Sequence, residues 1–222
     1  MTPQRHAATT VVMAKTPVAG AVKTRLAADV GDDLAVAAAL ALLQDTVANA
    51  AAVGPVVVAV AGDIDGISAL LPAGTSVIPQ VGADLAERLT RAQLATFAGG
   101  ARRVLLLGAD CPTVGPDLIA RAVAALDRAP AAMVPAVDGG YALLGTTAPT
   151  PQLFTGIRMG GPDVADRTRA AAQRASIGLV ELPVRHDLDR AADFAAALLA
   201  GELAHAPRTR ALAQRLALRV TG

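Results

Sequence analysis

The run Val104-Leu-Leu-Leu-Gly-Ala-Asp-Cys-Pro112 constrains this chain more than any other stretch. Its apolar residues predict a strand buried on both faces, the kind found in parallel sheets flanked by helices. Pro112 forbids continuation of the strand, and Gly108 lets the backbone turn or another group come close. Asp110 is thereby delivered to the carboxyl end of the strand, which is where ligands sit in open α/β sheets. A carboxylate there suits a cation that in turn holds phosphate. The same residue could equally cap a helix beginning near Pro116.

Around this strand the pattern alternates. Thr9 to Ala14, Pro55 to Ala61, Thr75 to Pro79, Arg103 to Ala109, Ala132 to Val137, Tyr141 to Leu144 and Gly178 to Val184 read as strands. Asp32 to Val53, Ile64 to Leu71, the segment from Gly82 to Gly99-Gly100, Pro116 to Ala129, Asp163 to Ala175, Arg190 to Leu199 and a basic terminal stretch, Arg208 to Leu218, read as helices. Strands and helices in alternation predict βαβ units and a mostly parallel, twisted sheet with helices on both faces, a three-layer α/β/α sandwich. No internal repeat or long linker divides the chain, so residues 1–222 are read as one domain, with a core over about 10–200 and a terminal helix in 205–222. The loop from Asp138 to Gly160 is expected to form a small subregion over the site.

Composition excludes several classes of function. Hydrophobic residues make up 53% and charged residues 18%, enough for a large core and against disorder. The net charge of +1 gives no electrostatic case for a nucleic-acid partner or a membrane surface. No apolar run approaches the roughly 20 residues that span a bilayer, so no integral membrane segment is expected. A lone cysteine, Cys111, excludes an internal disulfide and a cysteine-based zinc site, which fits a reducing cytoplasm.

The loop after the first strand, Lys15-Thr-Pro-Val-Ala-Gly20-Ala-Val-Lys23-Thr-Arg25-Leu26, carries three cations and a glycine. Arginine grips phosphate with a planar fork and lysine acts as a point charge. Such a loop, between a strand and a helix, is where α/β folds cradle phosphates. It is not a Walker A loop, because Pro17 and Val22 stand where glycines belong, and the chain holds no G-x-G-x-x-G. A solvated basic loop is the plainer alternative.

Five segments in order resemble one family: Met13 to Leu26, Gly82-Ala-Asp-Leu-Ala-Glu-Arg-Leu89, Gly108-Ala-Asp-Cys-Pro112, Asp138-Gly-Gly-Tyr141 and Asp187-Leu-Asp189. The chain resembles the glycosyltransferase-A-like family called domain of unknown function 2064. That family is similar in fold to nucleotide-diphospho-sugar transferases and to molybdenum-cofactor and phospholactate guanylyltransferases. The resemblance runs from about Val11 to Phe194.

The resemblance implies a role for each segment. Lys15, Gly20, Lys23 and Arg25 would hold nucleotide phosphates, with Lys23 and Arg25 acting in catalysis. Gly82, Asp84 and Arg88 would lie near the base or ribose, and Gly108 beside the nucleotide. Asp110 and Asp189, with Asp187, would bind Mg²⁺ or Mn²⁺. Asp138 would deprotonate or position a small-molecule acceptor walled by Gly139, Gly140 and Tyr141. Simpler readings stand beside these: Asp-Gly is a hairpin signal, Glu87 suits the first turn of a helix, and Asp187 and Asp189 suit an N-cap. Mg²⁺ itself takes one or two carboxylates and leaves its other positions to water and substrate phosphate.

Two segments depart from the family pattern. Met159-Gly160-Gly161-Pro162-Asp163 stands where an aromatic followed by Ser-Thr-Pro-Asp is expected, and Arg190-Ala-Ala-Asp-Phe194 where Thr-Pro-Glu-Asp-Leu is common. His186 is within reach of the metal, although a lone histidine is more often no ligand. Cys111 reads as a small loop residue, and His6 and His205 as exposed and terminal. The basic terminal helix, with Arg208, Arg210, Arg215 and Arg219, reads as a solvated face or as an oligomer contact in a homodimer.

The leading expectation is a metal-dependent transferase that takes a sugar from a nucleotide-sugar. The alternative is a nucleotidyltransferase that takes an NTP and a phosphorylated small acid and releases pyrophosphate. A non-catalytic nucleotide-binding protein is a third.

Overall fold

A computed structural model describes residues 8–220, with side chains through Ala217; His6 and the side chain of Arg219 lie outside the described residues. Seven strands form one sheet: β1 (Thr9–Lys15), β2 (Val56–Ala61), β3 (Ser76–Pro79), β4 (Val104–Gly108), β5 (Ala131–Pro135), β6 (Tyr141–Thr146) and β7 (Leu179–Glu181). Their order is β3-β2-β1-β4-β6-β5-β7. Only β6 runs antiparallel to its neighbours, β4 and β5. The other pairings, β1 with β2 and β4, β2 with β3, and β5 with β7, are parallel. The expected α/β fold and mostly parallel sheet are what the chain adopts.

The helices are α1 (Thr24–Val30), α2 (Asp32–Ala51), α3 (Ile64–Ser68), α4 (Leu85–Ala98), α5 (Pro116–Ala125), α6 (Val164–Arg174), α7 (Ala191–Leu199) and α8 (Pro207–Val220). β4 shows how the sheet is covered. Leu105 and Leu107 pack with Leu43 and Val47 of α2 and Leu118 and Ile119 of α5. Val104 and Leu106 point the other way, toward Leu89 of α4 and Ala165 and Ala172 of α6. Successive side chains alternate across a strand, so one apolar run serves both cores.

α2 presents apolar side chains to two sides because it is covered twice. Leu43 and Val47 face the sheet, while Leu42 joins Phe194, Leu212 and Leu216 in a separate core with α7 and α8. By length and composition alone α2 could cross a membrane, a point that the expectation of no such run overlooked. Here half of it is buried within the fold, including three polar residues, Asp45, Thr46 and Asn49.

The basic terminal stretch is corrected by this packing. α8 is not simply a solvated face: Thr209, Leu212, Ala213 and Leu216 are buried. Asp45, fully buried on α2, accepts hydrogen bonds from the Thr209 amide at 2.7 Å and from Arg208 at 3.1 Å. One carboxylate from a distant helix thus serves the first turn of α8, where backbone donors lack partners and negative charge is favoured. Replacing Asp45 by Ala orphans that amide, and we expect a loss of about 2 kcal/mol. Thermal unfolding should show a fall in Tm of about 4 to 8 °C.

Other departures are short. α1 arises where no helix is expected, and α3, α5 and β7 end earlier than the pattern suggests. The segment Asp138–Gly160 comprises the β5–β6 hairpin turn, β6, a 3-10 turn at Pro151–Leu153 and the turns around it. Its two ends, with Asp138, Gly140 and Tyr141 at one and Met159 and Gly160 at the other, line the cavity at the site.

Candidate active site

The loop after β1 is built before it does anything chemical. The Ala21 amide donates to Val18 at 3.0 Å, and Gly20 between them has φ 72°. That is the left-handed third position of a type II turn, which glycine adopts without strain. Lys15, at the end of β1, donates its ammonium to the Ala21 carbonyl at 2.8 Å and staples the turn. Lys23 follows with φ 45° and ψ 44°, unusual for a non-glycine, and opens α1.

This conformation sends the Lys23 side chain inward. Its Nζ lies 2.9 Å from Asp110 Oδ2 and 2.7 Å from Asp189 Oδ1. Arg25, mostly exposed, reaches Asp189 Oδ2 at 3.2 Å. Two aspartates far apart in sequence therefore meet the cationic turn at one point. Burial of Lys23, whose side chain is 8% exposed, works against its charge. Asp110 and Asp189 outweigh that and hold its pKa above the usual lysine range. The Lys23 charge in turn holds the Asp110 carboxyl below its ordinary value.

Asp110 is fixed from behind. A Cβ at Gly108 would stand 2.8 Å from the Asp110 carboxylate, so only glycine leaves that side chain its place. From α2, Thr46 donates to the Ala109 carbonyl at 3.2 Å and Asn49 to the Pro112 carbonyl at 3.1 Å. Sequence reasoning missed these two residues, although polar groups on an otherwise apolar helix were the available signal. Cys111 is buried beside Asp110, and burial pushes its thiol pKa well up, so it is the small loop residue expected.

Asp189 is free of the capping role that its position suggested. Asp193 accepts from the amides of Asp189 and Arg190 at 2.9 and 2.7 Å, and Asp29 of α1 accepts from Ala191. Those contacts cap α7 and leave the Asp189 carboxylate facing Lys23. Asp187 is not on Lys23; it lines a neighbouring cavity near Asp138. Burial, then the Asp138 charge, raises its pKa to about 6. His186 does not face the metal candidates: its Nδ1 lies 3.0 Å from Glu202. His205 is exposed, as expected.

Asp138 forms a tight turn between β5 and β6, with Oδ1 accepting from the Gly140 amide at 2.8 Å. The glycine pair does permit a close approach, but by protein. A Cβ on Gly139 would lie 1.9 Å from the Pro162 carbonyl oxygen, and the Ala165 amide donates to the Gly139 carbonyl at 2.9 Å. The Met159–Asp163 loop is thus seated on the hairpin. Burial pushes the Tyr141 phenol pKa up, and its hydroxyl has no partner among the described residues.

The Gly82–Arg88 segment spends its polar groups locally. Asp84 Oδ1 accepts from the Glu87 amide, Glu87 Oε2 accepts from Ala83, and Arg88 Nε donates to the Gly82 carbonyl. This is the helix start that its acidic first turn suggested. Leu85 and Leu89, rather than Asp84 or Arg88, face the cleft.

Two cavities meet at Asp110 and Asp189. One, about 310 Å³, is lined by Lys15, Lys23 and Arg25. The other, about 350 Å³, is lined by Asp138, Asp187, Tyr141 and apolar side chains. Among the described residues no group of three or more His, Cys, Asp or Glu side chains could hold a metal. The two carboxylates on Lys23 do accommodate a cation between hard oxygen donors. Two is also the number Mg²⁺ commonly takes from protein when phosphate and water supply the rest.

Comparison with known proteins concerns the chain as a whole. The model of the family described as uncharacterised proteins conserved in bacteria, DUF2064, matches residues 42–161. A phosphoenolpyruvate guanylyltransferase of Streptomyces coelicolor is 34% identical over 204 residues, 87% of this chain and 91% of its own. Its namesake in Streptomyces avermitilis is 36% identical over 207 residues, 87% of this chain and 89% of its own. The crystal structure of a candidate nucleotide-diphospho-sugar transferase from Desulfovibrio desulfuricans G20 superposes with a TM-score of 0.84 at 29% identity, over 94% of this chain and 97% of that one. The chain is a transferase by these likenesses, and it belongs to the DUF2064 family.

Proposed function

We propose that this transferase catalyses nucleotidyl transfer, taking a nucleoside triphosphate and a small acceptor and releasing pyrophosphate. The observation that carries the reading is the meeting of Lys23 with Asp110 and Asp189 at 2.9 and 2.7 Å, on the wall of a cavity that also holds Lys15 and Arg25. The relatives that are similar over most of both chains are named guanylyltransferases, which favours this over sugar transfer. Sugar transfer, the leading expectation from sequence, is supported only by the name of one fold neighbour.

In this reading Lys15, Lys23 and Arg25 bind the β- and γ-phosphates and stabilise charge that grows there as pyrophosphate leaves. Lys23 turns from the carboxylates to the phosphates when nucleotide enters. Asp110 and Asp189 would then hold Mg²⁺ or Mn²⁺, which when bound neutralises phosphate charge. Gly20 and Gly108 keep the turns on either side narrow, and Gly82, Asp84 and Arg88 shape the start of α4 beside the base. Asp138 faces the acceptor, with Gly139, Gly140 and Tyr141 around it. A cytoplasmic site of action suits the single buried thiol.

The test is product identity. Purified protein with Mg²⁺ is offered each NTP, with GTP first, and each nucleotide-sugar, together with a panel of acceptors. Pyrophosphate release is expected from an NTP. Nucleoside diphosphate released from a nucleotide-sugar, with no pyrophosphate from any NTP, would restore sugar transfer.

A further inference from the structure

Every backbone polar group of Arg185 and His186 is engaged in holding the acidic loops together. The Arg185 amide donates to the Pro135 carbonyl at 3.0 Å, and the Arg185 carbonyl accepts from the Val137 amide at 3.0 Å, beside the turn that carries Asp138. The His186 carbonyl accepts from the Thr113 hydroxyl at 2.8 Å, and Arg185 Nε donates to the Thr113 carbonyl at 3.2 Å. Thr113 is buried on the turn that follows Asp110, and Asp187 comes directly after His186. One dipeptide thus ties the Asp110 turn, the Asp138 turn and the Asp187–Asp189 segment to each other.

The last of these groups, the His186 amide, donates to Glu202 Oε2 at 3.0 Å, and His186 Nδ1 lies 3.0 Å from the same oxygen. The place of Glu202 is itself fixed. α7 closes with Gly201 at φ 71°, the Gly201 amide donating to Leu198 and the Glu202 amide to Ala197. That is a Schellman closure, which sets the direction of the residue after the glycine. The Glu202 side chain is only 13% exposed, and it lines neither of the two cavities at the site. At the other end of α7, Asp193 accepts from the Asp189 amide at 2.9 Å. The two ends of one helix therefore grip both flanks of the segment that carries Asp187 and Asp189.

We propose that Glu202 is a positioning residue: by holding His186 it sets the place of Asp189 relative to Asp110, and so the affinity of that pair for a divalent ion. The proposal rests on the reading that Asp110 and Asp189 take the metal. Mg²⁺ tolerates little departure from its preferred geometry, so moving one of two carboxylates weakens its binding. Losing a group that orients metal ligands from behind costs about 10- to 100-fold in metal affinity. Glu202→Ala leaves the Schellman closure intact, because backbone amides alone make it, and takes away only the acceptor of the His186 amide.

The experiment has two arms, both on full-length protein. The first measures the affinity for ATP, GTP, CTP and UTP, once with Mn²⁺ and once with a chelator. The second follows amide hydrogen exchange by NMR without metal or nucleotide. In Glu202→Ala we expect affinity with Mn²⁺ to fall at least about tenfold, while affinity with chelator stays within about twofold of wild type. Exchange at the Asp189 amide should quicken at least about tenfold. Glu202→Gln keeps an oxygen for the His186 amide and should stay within about threefold of wild type with Mn²⁺. Thr113→Val removes the hydrogen bond on the opposite side of His186 and should repeat the Glu202→Ala pattern, which keeps the test open if that variant does not fold. Gln93→Ala controls for destabilisation alone: buried Gln93 donates to Thr146 and Thr150, at the end of the sheet where β4 starts. It should leave the Mn²⁺-dependent affinity unchanged. Equal losses in Gln93→Ala and Glu202→Ala, or a Glu202→Ala affinity within about twofold of wild type with Mn²⁺, overturn the proposal. If wild-type protein binds no triphosphate more tightly with Mn²⁺ than with chelator, the metal reading fails, and the Asp189 exchange rate alone decides for or against Glu202.

Discussion

Lys23→Met is expected to reduce turnover by about 100- to 1000-fold, the usual cost of removing one well-placed stabiliser of developing charge. The cause is specific. Met keeps the length of the side chain and fills the same space but brings no charge to the phosphates. It also leaves Asp110 and Asp189 facing each other across the space that the ammonium occupied at 2.9 and 2.7 Å. Both carboxylates are partly solvated, at 46% and 33% exposed, so the expected loss of folding stability is modest, about 1 to 2 kcal/mol. Lys23→Gly separates backbone from charge: glycine adopts φ 45° freely, so it relieves the local backbone cost while losing the same ammonium. Steady-state kinetics and denaturant unfolding on both variants should show equal losses of turnover and a smaller stability loss for Gly. Turnover within threefold of wild type in both would remove Lys23 from the mechanism.

Gly139→Ala is expected to have the largest effect on folding. The new methyl would sit 1.9 Å from the Pro162 carbonyl oxygen, backbone against backbone, at φ 88° where an L residue is already strained. We expect a loss of about 3 to 5 kcal/mol. Any fraction that folds should have its Met159–Asp163 loop displaced from the hairpin that carries Asp138. Gly160→Ala is the control, since φ is 83° there but nothing lies within 4 Å of the added carbon. Only the conformational cost remains, about 1 kcal/mol. Equal destabilisation by the two substitutions would show that the Pro162 contact does not matter.

The sequence made the sheet legible wherever hydrophobic pattern decides structure. The run at Val104 must be buried on both faces, and Gly108 with Pro112 must end it, so the place of Asp110 followed. α1 was not legible: it is seven residues long, opens on a left-handed lysine and stops at Gly31, and no apolar repeat announces it. The meeting of Lys23 with Asp110 and Asp189 was expected from the family resemblance and not from the hydrophobic pattern. The two carboxylates lie 87 and 166 residues from Lys23, and only the strand order brings them together. Asp189 looked like a helix cap; Asp193 performs that task, a choice between two carboxylates four residues apart that spacing does not settle. At Gly139 the need for close approach was legible, but what approaches is the Pro162 carbonyl. Asp45, Thr46 and Asn49 broke the apolar face of α2 in plain view, and their meaning depended on α8 and the Asp110 turn packing there.

The most direct measurement is nucleoside triphosphate affinity with and without Mg²⁺, in wild-type protein and in Asp110→Asn. A single phosphate site shared by the carboxylates and the Lys15–Arg25 turn predicts saturable binding by wild type. It predicts that affinity falls at least about tenfold on chelation of the metal, and by a similar factor in the variant even with Mg²⁺ present. The same affinity in all three conditions would contradict it.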